Sequence, residues 1–122
     1  MVDFTILGQP YSKANSRRLV RYGSRTRSIK SEKALNYEAH AFWQFDAQRN
    51  MHKTFTKPVA VEITIFYPDR RQDLDPSLIL DVMQNAKVYE NDRLVHEMHL
   101  FRKIDKLNPR SEITVWEIKE NL

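Results

Sequence analysis

The clearest strand signal in the chain reads VAVEITIFY, residues 59–67. Alternate residues of a strand point to opposite faces of a sheet, and strict alternation therefore predicts a strand with one buried face. The apolar set is Val59, Val61, Ile63, Ile65 and Tyr67. Pro68 follows at once, and proline ends a strand because it has no N–H to donate to a neighbour.

A helix is predicted directly after this strand. The chain continues Asp69-Arg70-Arg71-Gln72-Asp73-Leu74-Asp75-Pro76. Asp75 is a natural N-cap residue, and proline is favoured in the first helical turn. A helix from Pro76 to about Ala86 would present one apolar face, made of Leu78, Ile79, Val82, Met83 and Ala86.

A longer helix is predicted upstream, from Ser31 to about Asn50, with Ser31 as its cap. Large apolar residues recur there at three- and four-residue spacing, which predicts a buried stripe of Leu35, Ala39, Phe42 and Phe45, with Trp43 beside it. Trp43 and Trp116 are both expected in the core.

The remaining elements complete an α+β fold. Val2–Leu7 reads as a first strand, and Leu94–Ile104 as another. Asn108-Pro109 marks a turn before a last strand around residues 113–118. The predicted order is β-α-β-α-β-β, a mixed sheet with helices packed on it, in a single domain over residues 1–122.

Positive charge is concentrated near the start of the chain. The segment from Pro10 to Lys33 holds eight basic residues and one acid, a net charge of +7, whereas the remainder holds 12 basic and 15 acidic residues, a net charge of −3. Residues 8–30 read as a long basic loop, and the asymmetry favours an anionic partner such as nucleic acid over a merely solvated loop. Tyr11 and Tyr22 within it either stack on bases or anchor the loop.

Three aspartates are candidate metal ligands. Asp73 and Asp75 are two residues apart in extended chain, so both carboxylates face one way. Asp92 follows the second helix and is expected to return to the same end of the sheet. Carboxylate oxygens suit Mg²⁺, which can activate water and stabilise the leaving oxygen of a phosphodiester. The alternatives are structural: Asp75 only caps a helix, Asp73 only pairs with Arg70 or Arg71, and Asp92 only shapes a turn.

Several classes of function are excluded by composition. The chain has no cysteine, which removes disulfides, thiolate nucleophiles and cysteine-based zinc sites and suits a reducing cytoplasm. Met1 to Pro10 does not read as a signal peptide, and no run approaches the ~20 apolar residues of a membrane span. With two glycines, a glycine-rich nucleotide loop is excluded. His96 and His99 fall on opposite faces of a strand, so a joint zinc site is not expected.

Three consecutive features of the sequence resemble the RusA family of Holliday-junction resolvases. They are the stretch from Pro68 to Asp75, a helix containing Asp81, and then Tyr89-Glu90-Asn91-Asp92-Arg93-Leu94-Val95. The resemblance implies a homodimeric, Mg²⁺-dependent endonuclease of bacteria and their phages, with Mn²⁺ as a possible substitute, that cuts four-way DNA junctions symmetrically in recombination and repair. The family's three catalytic, metal-binding aspartates fall on Asp73, Asp75 and Asp92. Asp81 either neighbours that site or is simply solvated.

Phosphate contacts are expected from basic and polar residues of the loop and of the segments that flank the second helix: Lys13, Asn15, Arg17, Arg18, Arg21, Arg25, Arg27, Arg70, Arg71 and Lys87. The sequence departs from the family in lacking a lysine early in the second helix, in Gln72 where the family is basic, and in Asn91 where it is acidic. Two other functions therefore stay open: a branched-DNA-binding protein without catalysis, and a nuclease that prefers flaps.

Overall fold

The computed structural model describes residues 1–12, 17–49 and 52–119. It contains two helices and a mixed sheet, which confirms the predicted α+β class. In chain order the elements are β1 (Val2–Leu7), β2 (Arg17–Tyr22), β3 (Arg25–Lys30), α1 (Glu32–Arg49), β4 (Val59–Tyr67), α2 (Ser77–Asn85), a short 3₁₀ helix (Asp92–Leu94), β5 (Val95–Ile104) and β6 (Arg110–Glu117). None of the described helices is long and apolar enough to cross a membrane.

The main sheet has the strand order β1-β6-β4-β5. β4 is antiparallel to β6 and parallel to β5, so it is an inner strand of the sheet. The five alternating residues from Val59 to Tyr67 are at most 1% exposed and point toward the helices. A parallel neighbour requires a crossover, and α2 makes it.

The apolar face predicted for α2 is confirmed: Leu78, Ile79, Val82, Met83 and Ala86 are all buried. The helix runs from Ser77 to Asn85, within one residue of the predicted bounds at each end. Its residues join the core beneath it, so this helix covers the β4 side of the sheet.

The start of α1 is confirmed, because the Ser31 hydroxyl accepts the Ala34 N–H at 3.2 Å. Of the predicted buried stripe, Phe45 is confirmed and Phe42 is partly buried against the core, but the prediction was wrong for Leu35, Ala39 and Trp43, which are exposed. Leu35 is 51% and Trp43 is 69% exposed. The buried residues are Ala34, Tyr37, Ala41 and Phe45. Two alanines on this face let the helix backbone approach the sheet closely, and the helix is thereby rotated by about one residue from the orientation that the largest side chains suggested.

Trp116 is also not a fully buried core residue. Its side chain is half-buried and stacks on His99, with 6.4 Å between ring centroids and 12° between ring planes. Both tryptophans therefore lie at least partly at the surface, contrary to the prediction.

The basic segment forms a β-hairpin, and the prediction of a loop over residues 8–30 was wrong for its second half. β2 pairs with β3 from Arg17↔Lys30 to Tyr22↔Arg25. Gly23 adopts a φ of +60° in the two-residue turn, a conformation that hairpin turns of this length favour. The strands read RRLVRY and RTRSIK, so too few apolar residues alternate for the sequence to signal strands. The Lys30 ammonium ties the base of the hairpin to Glu38 of α1 at 2.6 Å.

A pair of substitutions in α1 tests the corrected orientation of the helix. Phe45 is fully buried and its ring meets Phe4 edge-on, at a centroid distance of 5.0 Å. Phe45→Ala should lower the free energy of unfolding by about 3–5 kcal/mol. Trp43→Ala should change it by about 0.5 kcal/mol or less, because that side chain is mostly exposed. Urea unfolding of both variants is the measurement, and a larger loss at Trp43 than at Phe45 would contradict the structure.

Candidate metal and nucleic-acid site

The hydroxyl of Tyr67 holds the acidic segment that follows β4. Tyr67 is 1% exposed; its hydroxyl donates to the Asp73 carbonyl at 2.9 Å and accepts the Asp75 N–H at 3.4 Å. Arg102 of β5 adds a second anchor, because its Nη2 donates to the Gln72 carbonyl at 2.6 Å. Two neighbouring strands thus fix the backbone on which the first two candidate ligands stand.

Burial raises the pKa of Tyr67, and the nearby carboxylates of Asp75 and Asp73 raise it further, against the Asp75 N–H and the Arg102 guanidinium, which lower it. The phenol therefore stays protonated at neutral pH and keeps its proton for the Asp73 carbonyl. The backbone groups of both Asp73 and Asp75 thus meet at one hydroxyl.

Asp75 is half-buried, and its Oδ1 accepts from both the backbone N–H (2.8 Å) and the hydroxyl of Ser77. Asp75 was predicted to be the N-cap of the second helix; the N-cap is instead Pro76, which has no side-chain cap, and Asp75 binds the first helical residue from one position further upstream. Asp73 is exposed. Arg71 contacts Asp69 at 3.8 Å, and its N–H bonds the same carboxylate, so this arginine is used by Asp69 rather than by Asp73.

Asp92 stands at the other end of α2. Its N–H donates to Gln84 Oε1, in the last turn of that helix, at 2.8 Å, and its side chain is exposed. Tyr89 nearby is fully buried and its hydroxyl donates to the Leu80 carbonyl at 2.7 Å. Burial raises the pKa of Tyr89, and the carboxylates of Asp92 and Asp81 raise it further.

One chain does not bring the three aspartates together. Ser77, which binds Asp75, and Gln84, which binds Asp92, are seven residues apart, or about 10 Å along a helix. Val95 pairs with Val59, so Asp92 precedes the amino end of the β4–β5 pair, while Asp73 and Asp75 lie at its carboxyl end. The expectation that Asp92 returns to the same end was wrong, because a crossover between parallel strands carries the chain back to where the strands begin.

Consistent with this separation, no group of three or more His, Cys, Asp or Glu side chains within residues 1–12, 17–49 and 52–119 could hold a metal ion. The donors at the Tyr67 end nevertheless fit a hard divalent cation in kind. Asp73 and Asp75 offer carboxylate oxygens, and the neighbouring Gln72 has a buried side-chain oxygen without a hydrogen-bond partner in the described structure. Oxygen donors of this type suit Mg²⁺ or Mn²⁺.

The basic residues predicted to contact DNA lie mainly on the hairpin. Arg18, Arg21, Arg25 and Arg27 are exposed. Alternation along the paired strands puts Arg18, Arg25 and Arg27 on one face and Arg21 on the other. Arg17 begins β2, but its side chain lies outside the described part of the structure, as do Lys13 and Asn15 entirely.

Three of the basic residues predicted to contact DNA lie in the segments that flank α2 rather than on the hairpin. Arg70 and Arg71 are exposed in the segment before it, beside the two aspartates. Lys87 is exposed after it, with a φ of +61°, and its carbonyl accepts from Arg49 Nη1 at 3.0 Å. Tyr11 is half-buried against the core, which favours the anchoring role for that tyrosine.

Three positioning residues were missed by sequence reasoning: Tyr67, Arg102 and Gln84. Tyr67 carried a signal, since it ends a strand next to proline and the aspartates, but only the fold shows where its hydroxyl points. Arg102 and Gln84 carried no sequence signal. Arg102 binds the Gln72 carbonyl, 30 residues away in the chain, and Gln84 binds the Asp92 N–H across a turn.

Similarity to known proteins identifies the family of this chain. The family model for endodeoxyribonuclease RusA matches residues 8–116, which include the basic hairpin and all three aspartates. The chain belongs to the RusA family. It is also 36% identical over 81 residues to the crossover junction endodeoxyribonuclease RusA of Aquifex aeolicus (strain VF5), a match that covers 64% of this chain and 64% of that relative. This RusA-family chain thus aligns with just under two thirds of the relative's length, and the resemblance seen in the sequence is confirmed.

Removing the Tyr67 hydroxyl tests its hold on the acidic segment. Tyr67→Phe should speed hydrogen exchange at the Asp75 amide and lower the free energy of unfolding by about 1 kcal/mol, because a buried hydrogen-bond set is lost. Tyr89→Phe is the matched control, since it removes another buried hydroxyl, bonded to α2. Exchange at Asp75 that is unchanged in Tyr67→Phe, or equally faster in both variants, would contradict the assignment.

Proposed function

We propose that this RusA-family protein is a Mg²⁺-dependent endonuclease that resolves four-way DNA junctions in recombination and repair. The observation that carries the proposal is the match of the RusA family model over residues 8–116, which spans the cationic hairpin and the three aspartates. The name of the Aquifex relative, crossover junction endodeoxyribonuclease, supports the same substrate. We propose that it works as one domain over residues 1–122, as a homodimer, in the cytoplasm of a bacterium or a phage-infected cell.

DNA binding is assigned to the hairpin and to Arg70 and Arg71. Exposed guanidinium groups fork onto phosphate oxygens, and a protruding two-stranded ribbon spreads them over the backbone of a branched duplex. These contacts read charge rather than sequence, so they position the junction without selecting bases.

Asp73, Asp75 and Asp92 are the residues that would hold Mg²⁺ or Mn²⁺, which supplies an activated water and neutralises charge at the leaving oxygen when bound. Tyr67 and Arg102 keep the Gln72–Asp75 backbone in place, so the positions of Asp73 and Asp75 are fixed, whereas Asp92 lies apart from them within the chain. Arg102 also sets a positive charge beside this segment, at 5.8 Å from the centre of the Tyr67 ring. Arg102 thus supplies a basic group beside Gln72, the position where the family is basic.

Replacing Asp75 by asparagine separates cleavage from binding. Asp75→Asn should abolish Mg²⁺-dependent cleavage of a labelled synthetic four-way junction, because an amide holds the cation far less well. It should leave junction binding unchanged and α2 intact, since the side-chain carbonyl of asparagine can still accept the Ser77 N–H. Asp69→Asn, in the same segment but paired with Arg71, should keep cleavage.

The outcomes of that experiment divide the candidate functions. Paired symmetric nicks that require Mg²⁺ and vanish in Asp75→Asn support a resolvase. Tight binding without cuts by the unaltered protein, over Mg²⁺, Mn²⁺ and a range of pH, would make it a branched-DNA-binding protein instead, a reading that the absent lysine of α2 favours. Faster cutting of flaps than of junctions would change the substrate.

The hairpin assignment predicts a change in salt dependence. Replacing both Arg18 and Arg27 by alanine should weaken binding to junctions of any sequence and reduce the slope of log K against log salt by about 0.9 for each lost phosphate contact. Alanine at both Lys57 and Lys106, two exposed cations outside the basic segment, is the control and should leave the slope unchanged. An equal effect of the two double variants would show that only overall charge matters.

A further inference from the structure

A cavity of about 700 Å³ lies between the end of β1 and one face of α1. Pockets of about 300–1,000 Å³ are typical of sites for small organic groups. Residues of α1 at three- and four-residue spacing, which share one face of a helix, line it: Lys33, Asn36, Tyr37, His40, Trp43 and Gln44. Trp43, the largest side chain of α1, thus borders a cavity and does not pack on the sheet.

Aromatic rings make up much of the cavity wall. Trp43 is 69% exposed, Tyr11 is half-buried, and Tyr37 is 6% exposed. Gly8 also lines the cavity, and a Cβ at this position would lie 3.8 Å from the Tyr37 ring, so the missing side chain leaves space above that ring. Flat aromatic surfaces of this kind are what nucleobases stack on in proteins that bind single strands.

The polar side chains of the cavity suit the edge and the phosphate of a nucleotide. Among the described residues, no hydrogen bond or ion pair occupies the side chains of Lys33, Asn36 and His40. The amide of Gln44, by contrast, already bonds both backbone groups of Leu7, at 2.6 and 3.1 Å. An amide such as that of Asn36 offers a donor and an acceptor together, as a base edge requires. None of the lining residues that the structure describes is acidic, so the wall does not repel phosphate.

The cavity adjoins the base of the cationic hairpin. β3 ends at Lys30, and Lys33 follows in the first turn of α1. The ion pair of Lys30 with Glu38 fixes this end of the hairpin to the same helix that lines the cavity. A DNA strand whose phosphates lie on the hairpin is therefore led toward the cavity, with Lys33 as the next cation along the chain.

The cavity also opens at the end of the sheet where the acidic segment begins. Both β1 and β4 are antiparallel to β6, so their carboxyl ends lie at one edge. Leu7, which borders the cavity, pairs with Arg110, and Arg110 pairs with Phe66, the residue before Tyr67. Two interstrand spacings, about 10 Å, separate Leu7 from Phe66. That length corresponds to about three nucleotides of a duplex strand, at ~3.4 Å each.

We infer that the cavity takes up one base of the branched DNA, turned out of its stack a few nucleotides from the phosphodiester at the aspartates. Trp43 and Tyr11 stack on this base, and Asn36 bonds its edge. The inference rests on the proposed function for the identity of the substrate. A base that has already lost its stacking neighbours costs least to turn out, and the strand exchange at a branch point interrupts stacking. The cavity thus favours branched DNA over a continuous duplex.

Abasic junctions test the base pocket by binding alone, without Mg²⁺ and hence without cleavage. A single abasic site is moved one nucleotide at a time around the branch point. At one position, loss of the base should weaken binding by the wild-type protein about tenfold, as expected for one lost base–aromatic stack. Trp43→Ala should weaken binding of the intact junction by a similar factor. It should bind that abasic junction no more weakly than the intact one, because both changes remove the same stack.

Leu35→Ala is the matched control, since Leu35 is 51% exposed on the same helix but does not line the cavity. It should bind both junctions as the wild-type protein does. Wild-type affinity of Trp43→Ala for the intact junction, or losses that simply add, would overturn the base pocket and leave the proposed function standing. A wild-type protein that binds no branched DNA would instead overturn the proposed function.

Tryptophan fluorescence tests the stacking directly. The chain has two tryptophans, so Trp116→Phe leaves Trp43 as the only one, and Trp43→Phe leaves Trp116, which pairs with Ala60 on the sheet face away from the helices. Binding of the intact junction should quench Trp43 strongly and Trp116 little, and the abasic junction identified above should not quench Trp43. Equal quenching of both tryptophans would contradict the pocket. Quenching of Trp43 by a free deoxynucleoside monophosphate at the concentrations that suffice for the junction would assign the cavity to a free nucleotide and overturn the inference.

Discussion

Parallel pairing of β4 with β5 requires a crossover, and α2 provides it. This crossover separates the three candidate metal ligands into two groups. Asp73 and Asp75 lie where the chain leaves β4, and Asp92 lies where it enters β5. Burial of the Val59–Tyr67 side chains under the helices holds the strand pair rigid. The distance between the aspartates is thus a property of the fold and not of loop flexibility.

Around this frame, buried tyrosines do the positioning. Tyr67 ends β4 with its ring in the core and its hydroxyl at the acidic segment, and Tyr89 does the same for the helix between the two acidic ends. Their raised pKa values keep both hydroxyls protonated over the neutral range, so they donate hydrogen bonds to backbone carbonyls and carry no charge. The aspartate carboxylates therefore carry the negative charge that would bind a cation.

The edges of the sheet add a second level of organisation. Gln44 and Gln48 bond the backbone of β1, whereas β5 pairs with β4 alone in the part of the chain that the structure describes. A free sheet edge can pair with another strand, and the side-chain amides of Gln44 and Gln48 protect β1 from such pairing.

The local sequence was sufficient to predict an element wherever its pattern of apolar residues was regular. The alternation of residues 59–67 predicted a strand with one buried face, and the spacing from Leu78 to Ala86 predicted the buried face of α2, because strict periods of two and 3.6 leave few ways to bury apolar side chains. Motif spacing likewise indicated the RusA family. It did not predict the hairpin over Arg17–Lys30, whose strands are too polar to show a period, or the orientation of α1, where small Ala34 and Ala41 rather than large Trp43 face the sheet.

What the sequence by itself determined is the residue chemistry: oxygen ligands, a cationic segment and the elements that carry them. Only the tertiary structure decided where these meet. The pairing of β4 with β5 is a contact between distant segments, and its parallel sense, which separates Asp92 from Asp73 and Asp75, depends on the sheet as a whole. The same holds for the Arg102 and Tyr67 anchors, since hydrogen bonds across a fold leave no trace in residue spacing.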